Sequence, residues 1–359
     1  MFTSRKRRGV AVLTIGALLI TACGSGDEAS TPATANGAAD APTVVATTSI
    51  WADVTANVAC DGLATVEMII PLGGDPHSFE PSLRDRETMD NSELVVANGL
   101  YLEESLADTI DAAASNGTAV LRVGDGLDPL PADDDHEDDD HDDDESSDND
   151  HEDHDDDEAD DDHDHEDHDD QDDDDHDHGA FDPHVWWDPT RMAAAVPLIA
   201  DALADVGIDR AALDECADRY IDELTTLDAD VAAIVAPLPA GERVLVTNHD
   251  SLSYFADRYE FEVVGSVIPS SSSLAATSPA ELDTLAAEIV ATGAPTIFAD
   301  TQSSTDDADA LASRIGDVAV ISLLTGTLDE PGSGAGTYVG WLRQNVQTIV
   351  DALDRSPAS

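Results

Sequence analysis

The sequence predicts an α/β protein with two Rossmann-like lobes of parallel sheet and helices, joined by one long helix. Short β-branched or aliphatic segments alternate with helical segments over residues 43–132, which is typical of parallel βαβ units. The same alternation returns over residues 237–359. Between the two regions, apolar residues recur at helical spacing over residues 209–236, and Pro237 and Pro239 end this connecting helix.

Each element of the two lobes follows from local pattern. In the first lobe we expect strands at 43–48, 64–70, 93–97 and 118–123, with helices at about 50–59, 82–91 and 101–115. Residues 179–208 continue this lobe, and their helix at 190–206 contains Pro197, which predicts a kink. In the second lobe we expect strands at 243–247, 261–267, 296–299 and 318–323, with helices at about 251–259, 279–292, 305–315 and 337–354. Two such lobes leave a cleft between them, where ligands commonly bind.

The N-terminal segment predicts export. Residues 1–22 combine four basic residues with an apolar stretch of 13 residues, which is too short to span a bilayer comfortably and is typical of a signal peptide. The stretch ends in I-T-A-C, which resembles a bacterial lipobox. An ordinary secretory signal followed by a chance cysteine is the alternative. Residues 23–42 are rich in small residues and predict a flexible linker. We therefore expect an extracytoplasmic protein anchored to the cell membrane bilayer by a lipidated Cys23.

Two further cysteines, Cys60 and Cys216, remain once the lipid-bearing one is removed. Outside the cytoplasm such a pair can oxidise to a disulfide. Two unrelated thiols are the alternative, because sequence alone does not bring their Cα atoms within bridging distance.

Residues 133–178 interrupt the fold with 32 Asp or Glu, nine His and no Lys or Arg. Such a segment buries too little apolar surface to offset its ordering entropy, so we predict a disordered loop. Its histidines indicate a weak metal collector, and a solvated charge run without a metal role is the alternative. The loop supplies half of the formal net charge of −64, and a surface this acidic excludes nucleic acid as a partner.

The three histidines outside that loop are the candidate metal ligands. His77 lies in G-G-D-P-H-S-F-E-P after a strand, His184 in F-D-P-H-V-W-W-D-P before a helix, and His249 in V-T-N-H-D between a strand and a helix. A structural role is the alternative for any one of them alone. Three imidazoles with one oxygen suit tetrahedral Zn²⁺, although copper, nickel and cobalt also accept these ligands. The nearby carboxylates Asp75, Glu80, Asp182 and Asp250 are candidates to accept the second ring N–H.

The pieces P-H-S-F-E-P, D-P-H-V-W-W-D-P and N-H-D-S-L-S-Y-F resemble the three histidine motifs of zinc and manganese solute-binding proteins of ABC transporters (cluster A-I, or cluster 9). The resemblance covers residues 43–354 and includes the acidic insertion. It implies that His77 and His184 from the first lobe and His249 from the second bind a metal between the lobes. Manganese members usually carry a carboxylate at the third position, so His249 favours Zn²⁺ over Mn²⁺ as the transported ligand.

The fourth ligand departs from the family pattern. Many relatives supply an acidic ligand in a segment resembling residues 323–329, but Gly326 takes its place here. Asp329 or a water molecule is the candidate substitute.

The resemblance implies a monomeric binding protein that captures Zn²⁺ and delivers it to an ABC permease and its ATPase. No catalytic residues and no resident cofactor are expected. Three histidines and a water could also form a zinc hydrolase, but no general-base motif accompanies them. A zinc-buffering or adhesin lipoprotein without a dedicated permease would share the same site.

Overall fold

The computed structural model describes residues 41–132 and 179–354. The predicted signal peptide, Cys23, nearly all of the linker, the acidic loop and the last five residues lie outside the described residues. The first lobe has strands β1 (Thr43–Ala46), β2 (Thr65–Met68), β3 (Leu94–Ala97) and β4 (Ala119–Arg122). Its helices are α1 (Ser49–Val58), α2 (Leu83–Asp90), α3 (Ala107–Asn116) and α4 (Pro189–Asp205).

The first sheet is parallel, in the order β2-β1-β3-β4. The aliphatic residues of β3 are all buried, because helices cover both faces of a parallel sheet. The strand order reverses between β1 and β3, and ligands of open α/β sheets bind outside the carboxyl ends of strands at such a point. The loop after β2 carries His77 at this edge of the sheet.

The second lobe repeats this topology. Its strands are β5 (Val244–His249), β6 (Glu262–Ile268), β7 (Thr296–Asp300) and β8 (Ala319–Leu323), and its parallel sheet has the order β6-β5-β7-β8. Its helices are α6 (Ser253–Tyr259), α7 (Pro279–Thr292), α8 (Asp306–Ile315) and α9 (Tyr338–Leu353). The neighbouring strands β5 and β7 end at His249 and Asp300, so these two side chains meet at the reversal point of the second sheet.

The connecting helix is α5, which spans Arg210–Val235, with Asp209 as its N-cap. Its 26 residues correspond to about 39 Å of helix. A stripe of buried residues packs it against α1 and α4 of the first lobe and α9 of the second: Leu213, Tyr220, Leu224, Leu227 and Val231. The fold class is therefore as predicted. In the part of the chain that the structure describes, no helix has both the length and the apolar composition needed to cross a bilayer.

A disulfide joins Cys60, which follows α1, to Cys216 of α5, with the two Cα atoms 5.9 Å apart. It therefore ties the first lobe covalently to the connecting helix. Because both sulfurs are consumed in this bond, their proximity to Asp61 does not make a metal site.

Buried aromatic residues hold the two lobes together beside the cleft. The rings of Trp187 and Trp341 lie 4.7 Å apart, centroid to centroid, and both side chains are fully buried. Trp186 donates its indole N–H to the carbonyl of Thr325 at 2.8 Å, and Tyr338 donates its hydroxyl to the carbonyl of Trp186. These contacts cross from the first lobe to the second, so they fix the position of one lobe against the other.

One helix differs from its predicted bounds by more than two residues at one end. The helix expected at 101–115 begins at Ala107, because the preceding residues form an irregular turn that ends in one turn of 3-10 helix at Glu104–Leu106. Residues 99–106 are called here the 99–106 turn. Gly99, Leu100 and Tyr101 have φ angles of 78°, 54° and 62° in succession. The buried carboxylate of Glu103 accepts hydrogen bonds from the amides of Asn98 and Gly99, and these bonds fix the turn.

Candidate metal centre

The same local hydrogen bond fixes the backbone at two of the three histidines. In each Asp-Pro-His segment, the aspartate side chain accepts the backbone N–H of the histidine two residues later: Asp75 from His77 at 3.1 Å, and Asp182 from His184 at 2.9 Å. This bond closes an Asx turn, and the intervening proline restricts the backbone further. The backbone at both histidines is therefore fixed by an aspartate two residues earlier in the sequence.

His249 reaches the same point from the second lobe. Each of the three histidines offers one ring nitrogen, and these nitrogens all lie within 4.8 Å of one another. The centroids of the three rings are 5.1–5.7 Å apart, and all three residues are buried. Nε2 of His184 and Nε2 of His249 are 3.2 Å apart. Two nitrogens on one tetrahedral Zn²⁺ would be separated by about 3.3 Å, given Zn–N bonds of about 2.0–2.1 Å.

A carboxylate lies behind each ring. Nδ1 of His184 is 2.7 Å from Oδ1 of Asp182, and Nδ1 of His249 is 2.7 Å from Oδ2 of Asp300. Nδ1 of His77 lies farther, 3.3 Å from Oε1 of Glu104. A metal-binding imidazole almost always donates its other N–H in this way, which fixes the tautomer and makes the ring a stronger donor.

The ring nitrogens that face each other must share either a proton or a cation. If Nδ1 of His184 and of His249 each donates to its carboxylate, both Nε2 atoms are bare lone pairs at 3.2 Å, and lone pairs repel at that distance. Among the described residues, neither ring nitrogen of His77 has a hydrogen-bond partner of acceptable geometry. Buried polar atoms are rarely left unpaired, so the group of three rings fits a bound metal ion.

Burial and neighbouring charges shift the pKa values of two of the histidines and of Asp182. Burial, reinforced by the other two histidines, lowers the pKa of His184 well below its usual value. Burial also acts to lower the pKa of His249, but the charge and hydrogen bond of Asp300 outweigh it and raise this pKa. Burial raises the pKa of Asp182 to about 6, against the hydrogen bond from His184. A cation at the rings would restore the ionised form of Asp182.

The cavity between the rings has room for one small ligand. Its volume is about 10 Å³, close to the space that one water molecule needs. It is lined by Asp75, Pro76, His77, His184, His249, Ser273, Asp300, Gln302, Ser303, Thr325 and Gly326. A larger cavity of about 680 Å³ lies in the first lobe, but none of the three histidines lines it. The convergence of donors rather than cavity size therefore identifies the candidate site.

The structure does not bring Asp329 to this site. Asp329 is exposed and does not join the three histidines, and its backbone N–H donates to the carbonyl of Ala335 at 3.0 Å. Gly326 lines the cavity as the family alignment predicts, but it offers no side chain. The turn after Leu328 directs the Asp329 side chain into solvent, so no carboxylate from this segment reaches the rings.

Sequence reasoning found one of the three carboxylates behind the rings. Asp182 accepts from its histidine as anticipated, whereas Asp75 accepts the backbone N–H of His77 instead of its ring N–H. Glu80 is exposed. Asp300 was missed, although its position directly after the strand predicted at 296–299, where functional side chains of α/β folds collect, was a usable signal. Glu104 was missed because nothing in the local pattern reveals the 99–106 turn.

A comparison with known protein families shows the family to which this chain belongs. A family model described as the periplasmic component A of the zinc-uptake complex matches residues 44–352, which include both lobes and the connecting helix. The chain belongs to this family. Its members are metal-binding solute-binding proteins of ABC transporters and are not enzymes.

Individual members of the family carry different metals. The zinc-binding protein TroA of Treponema pallidum is 28% identical over 321 residues, covering 88% of this chain and 89% of its own. The manganese-binding lipoprotein MntA of Halalkalibacterium halodurans is 24% identical over 345 residues, covering 96% and 97%. The solved structure of TroA matches with a TM-score of 0.70 at 26% identity, covering 88% of this chain and 99% of that one. A cadmium-bound periplasmic protein of Candidatus Liberibacter asiaticus shares the fold, with a TM-score of 0.67 at 21% identity, covering 87% of this chain and 100% of that one.

The family membership fixes the general role. The protein is the extracytoplasmic metal-binding component of an ABC transporter, and several homologues are lipoproteins. The particular metal does not follow from membership, because zinc and manganese proteins are both similar to this chain.

Proposed function

We propose that this protein captures Zn²⁺ with Nε2 of His77, His184 and His249 and delivers it to the permease and ATPase of an ABC importer. A water molecule would complete the tetrahedron at the position that Gly326 leaves open. The observation that carries the proposal is the 3.2 Å separation of two Nε2 atoms whose rings are each held from behind by a buried carboxylate. The two nitrogens can share one proton or bind one cation, and the ring nitrogens of His77 beside them, which have no hydrogen-bond partner among the described residues, favour the cation.

The donor set supports zinc over manganese. Three imidazole nitrogens suit Zn²⁺, whereas Mn²⁺ is better matched by carboxylate and other oxygen ligands. The carboxylates of Asp182 and Asp300 are engaged at Nδ1 of the histidines, so they face the backs of the rings. His249 also stands where manganese members usually carry a carboxylate. The similarity to zinc-binding TroA is consistent with this choice.

The segments outside the described residues complete the proposal. Residues 1–22 would serve as the signal peptide, Cys23 would carry the lipid, and residues 23–42 would tether the folded part to the membrane. The loop at 133–178 would collect zinc weakly and raise its concentration near the histidine site. The first lobe at 43–132 and 179–208 and the second lobe at 237–359 would then hold the ion between them, on either side of the helix at 209–236.

Calorimetry and metal analysis test the assignment. The chain from residue 24 onward should bind one Zn²⁺ tightly, and at the same site it should bind Mn²⁺ much more weakly. Each of His77→Ala, His184→Ala and His249→Ala should weaken this tight binding by at least 100-fold, because each removes one of three protein ligands. A histidine of the acidic loop, changed in His165→Ala, is the matched control and should leave the tight class unchanged.

Tighter binding of Mn²⁺ than of Zn²⁺ would overturn the zinc assignment while leaving the site in place. Retention of the tight class in all three site variants would overturn the site itself.

A further inference from the structure

The 99–106 turn holds His77 from two directions. The backbone N–H and the hydroxyl of Ser105 both point to the carbonyl oxygen of His77, at 3.4 and 3.1 Å. The next side chain along the turn, Glu104, brings Oε1 to 3.3 Å from Nδ1 of the same histidine. The main chain and the ring of His77 are therefore both placed by this one segment.

The 99–106 turn is fixed by features unrelated to His77. Leu100 and Tyr101 have positive φ angles, which cost a side-chain-bearing residue roughly 1–3 kcal/mol and persist only where the surroundings impose them. Glu103 supplies that constraint, because its buried carboxylate accepts from two backbone amides and from the hydroxyl of Thr47. Glu104 is thus carried on a rigid support.

His77 differs from the other two histidines in its access to solvent. The carboxylates behind His184 and His249 have side chains that are 1% and 5% exposed, whereas the Glu104 side chain is 32% exposed. A cavity of about 140 Å³ adjoins His77 and Glu104 and is also lined by Tyr101 and by Ser270–Ser272 of the second lobe. His77 lines both this cavity and the one between the rings, and His184 and His249 do not line the outer one.

We propose that Glu104 is a positioning residue for His77, and that the His77–Glu104 pair is the element of the site through which the ion enters and leaves. The carboxylate of Glu104 lies where it can take the Nδ1–H of His77, a ring nitrogen with no hydrogen-bond partner of acceptable geometry among the described residues, and so aim Nε2 at the metal cavity. Because the Glu104 side chain is partly exposed and lies 3.3 Å from Nδ1 of His77, against 2.7 Å in the other two pairs, the His77 ring is the one that turns away when the ion departs. The other two rings stay locked by Asp182 and Asp300. This inference rests on the proposed function.

Zinc dissociation rates test the proposal. Release from the whole mature chain is followed by capture with an excess of a chelating dye, and the Co²⁺-loaded protein reports ligand geometry through its visible absorption. Glu104→Ala should raise the dissociation rate about 10- to 100-fold, the usual effect of losing such a partner, and should alter the Co²⁺ spectrum. Glu104→Gln keeps a carbonyl acceptor in place, so its rate should fall between those of the alanine variant and the wild type.

The matched control is Glu67→Ala, which removes the same charge from an exposed position on β2 of the same lobe. It should behave like the wild type in both measurements. Should Glu104→Ala fail to fold, Glu104→Asp carries the same test, because it withdraws the carboxylate by one methylene and should also speed release.

Unchanged release and an unchanged Co²⁺ spectrum in the Glu104 variants, beside a tightly binding wild type, would overturn this inference and leave the proposed function intact. A wild type that binds no single tight Zn²⁺ would refute the proposed function instead.

Discussion

The substitution Asp300→Asn probes how a buried carboxylate tunes the site. Asp300 lies at the end of β7, is buried, and holds Nδ1 of His249 at 2.7 Å. Asparagine has the same size and keeps a carbonyl acceptor, but it removes the negative charge behind the ring. The imidazole then becomes a weaker donor to zinc. Loss of such an outer partner typically costs 10- to 100-fold in metal affinity, or about 1.4–2.7 kcal/mol.

The same substitution should weaken zinc binding at alkaline pH and yet make binding persist to lower pH. In the metal-free wild type, burial acts to lower the pKa of His249, but the charge of Asp300 outweighs it and raises this pKa. Zinc requires the neutral ring, so binding is fully available above that raised pKa and is lost as pH falls through it. Without the charge, burial dominates and the pKa of His249 falls. Acid should therefore displace zinc from Asp300→Asn at a lower pH than from the wild type.

Calorimetric titrations with Zn²⁺ across a series of pH values measure both effects. The variant should bind more weakly than the wild type at alkaline pH, and the two affinities should converge as the pH falls. Asp283→Asn is the control, since this aspartate of the same lobe is 73% exposed and pairs with Arg314 away from the cavity. Equal affinity at alkaline pH, or a shift of the acid limit to higher pH, would refute the account of Asp300.

Three further changes test other parts of the structure. Gly326→Asp should tighten Zn²⁺ binding about tenfold in calorimetry, because a carboxylate there could reach the open position. The new Cβ would meet the flexible end of Gln302 at 2.9 Å and Pro76 at 3.4 Å, so the side chain has room. Weaker binding would contradict this prediction. Deleting residues 133–178 should remove only the weak zinc sites, and loss of the tight site in metal analysis would contradict the division between loop and lobes. Changing Cys60 and Cys216 together to alanine should lower the free energy of unfolding in denaturant by up to about 5 kcal/mol, because the disulfide closes a loop between cysteines 156 residues apart. Added reductant should have no further effect on this variant.

The features predicted from sequence are those whose cause is local. The Asp-Pro-His segments contain their own turn, so His77 and His184 could be recognised from them, and Asp182 was one of four carboxylates considered as partners for the rings. The connecting helix has an N-cap, a buried stripe and a following proline pair, and its bounds were predicted to within one residue. In each case the determining contacts lie within a few positions of one another in the chain.

The features that were missed depend on distant contacts. Asp300 lies 51 residues from His249 and meets it only because β5 and β7 are neighbours in the sheet. The 99–106 turn has helix-compatible residues, but the carboxylate of Glu103 binds backbone amides that a regular helix would use differently. The prediction of Asp329 came from alignment to a segment whose turn here places it in solvent.

In the proposed site, different groups account for the strength of zinc binding and for the exchange of the ion. Structural zinc sites fill all four positions with protein ligands, whereas catalytic zinc sites keep one position open to water or another small ligand. In the proposed site, with Gly326 in place of an acidic ligand, the open position would face the cavity, and Asp182 and Asp300 would strengthen binding by holding two of the rings. A delivery protein needs both properties, since it must hold its ion in solution and surrender it at the permease. For the same reason, the tighter binding expected of Gly326→Asp should be accompanied by slower release, because a fourth protein ligand closes the position at which an incoming ligand would attack.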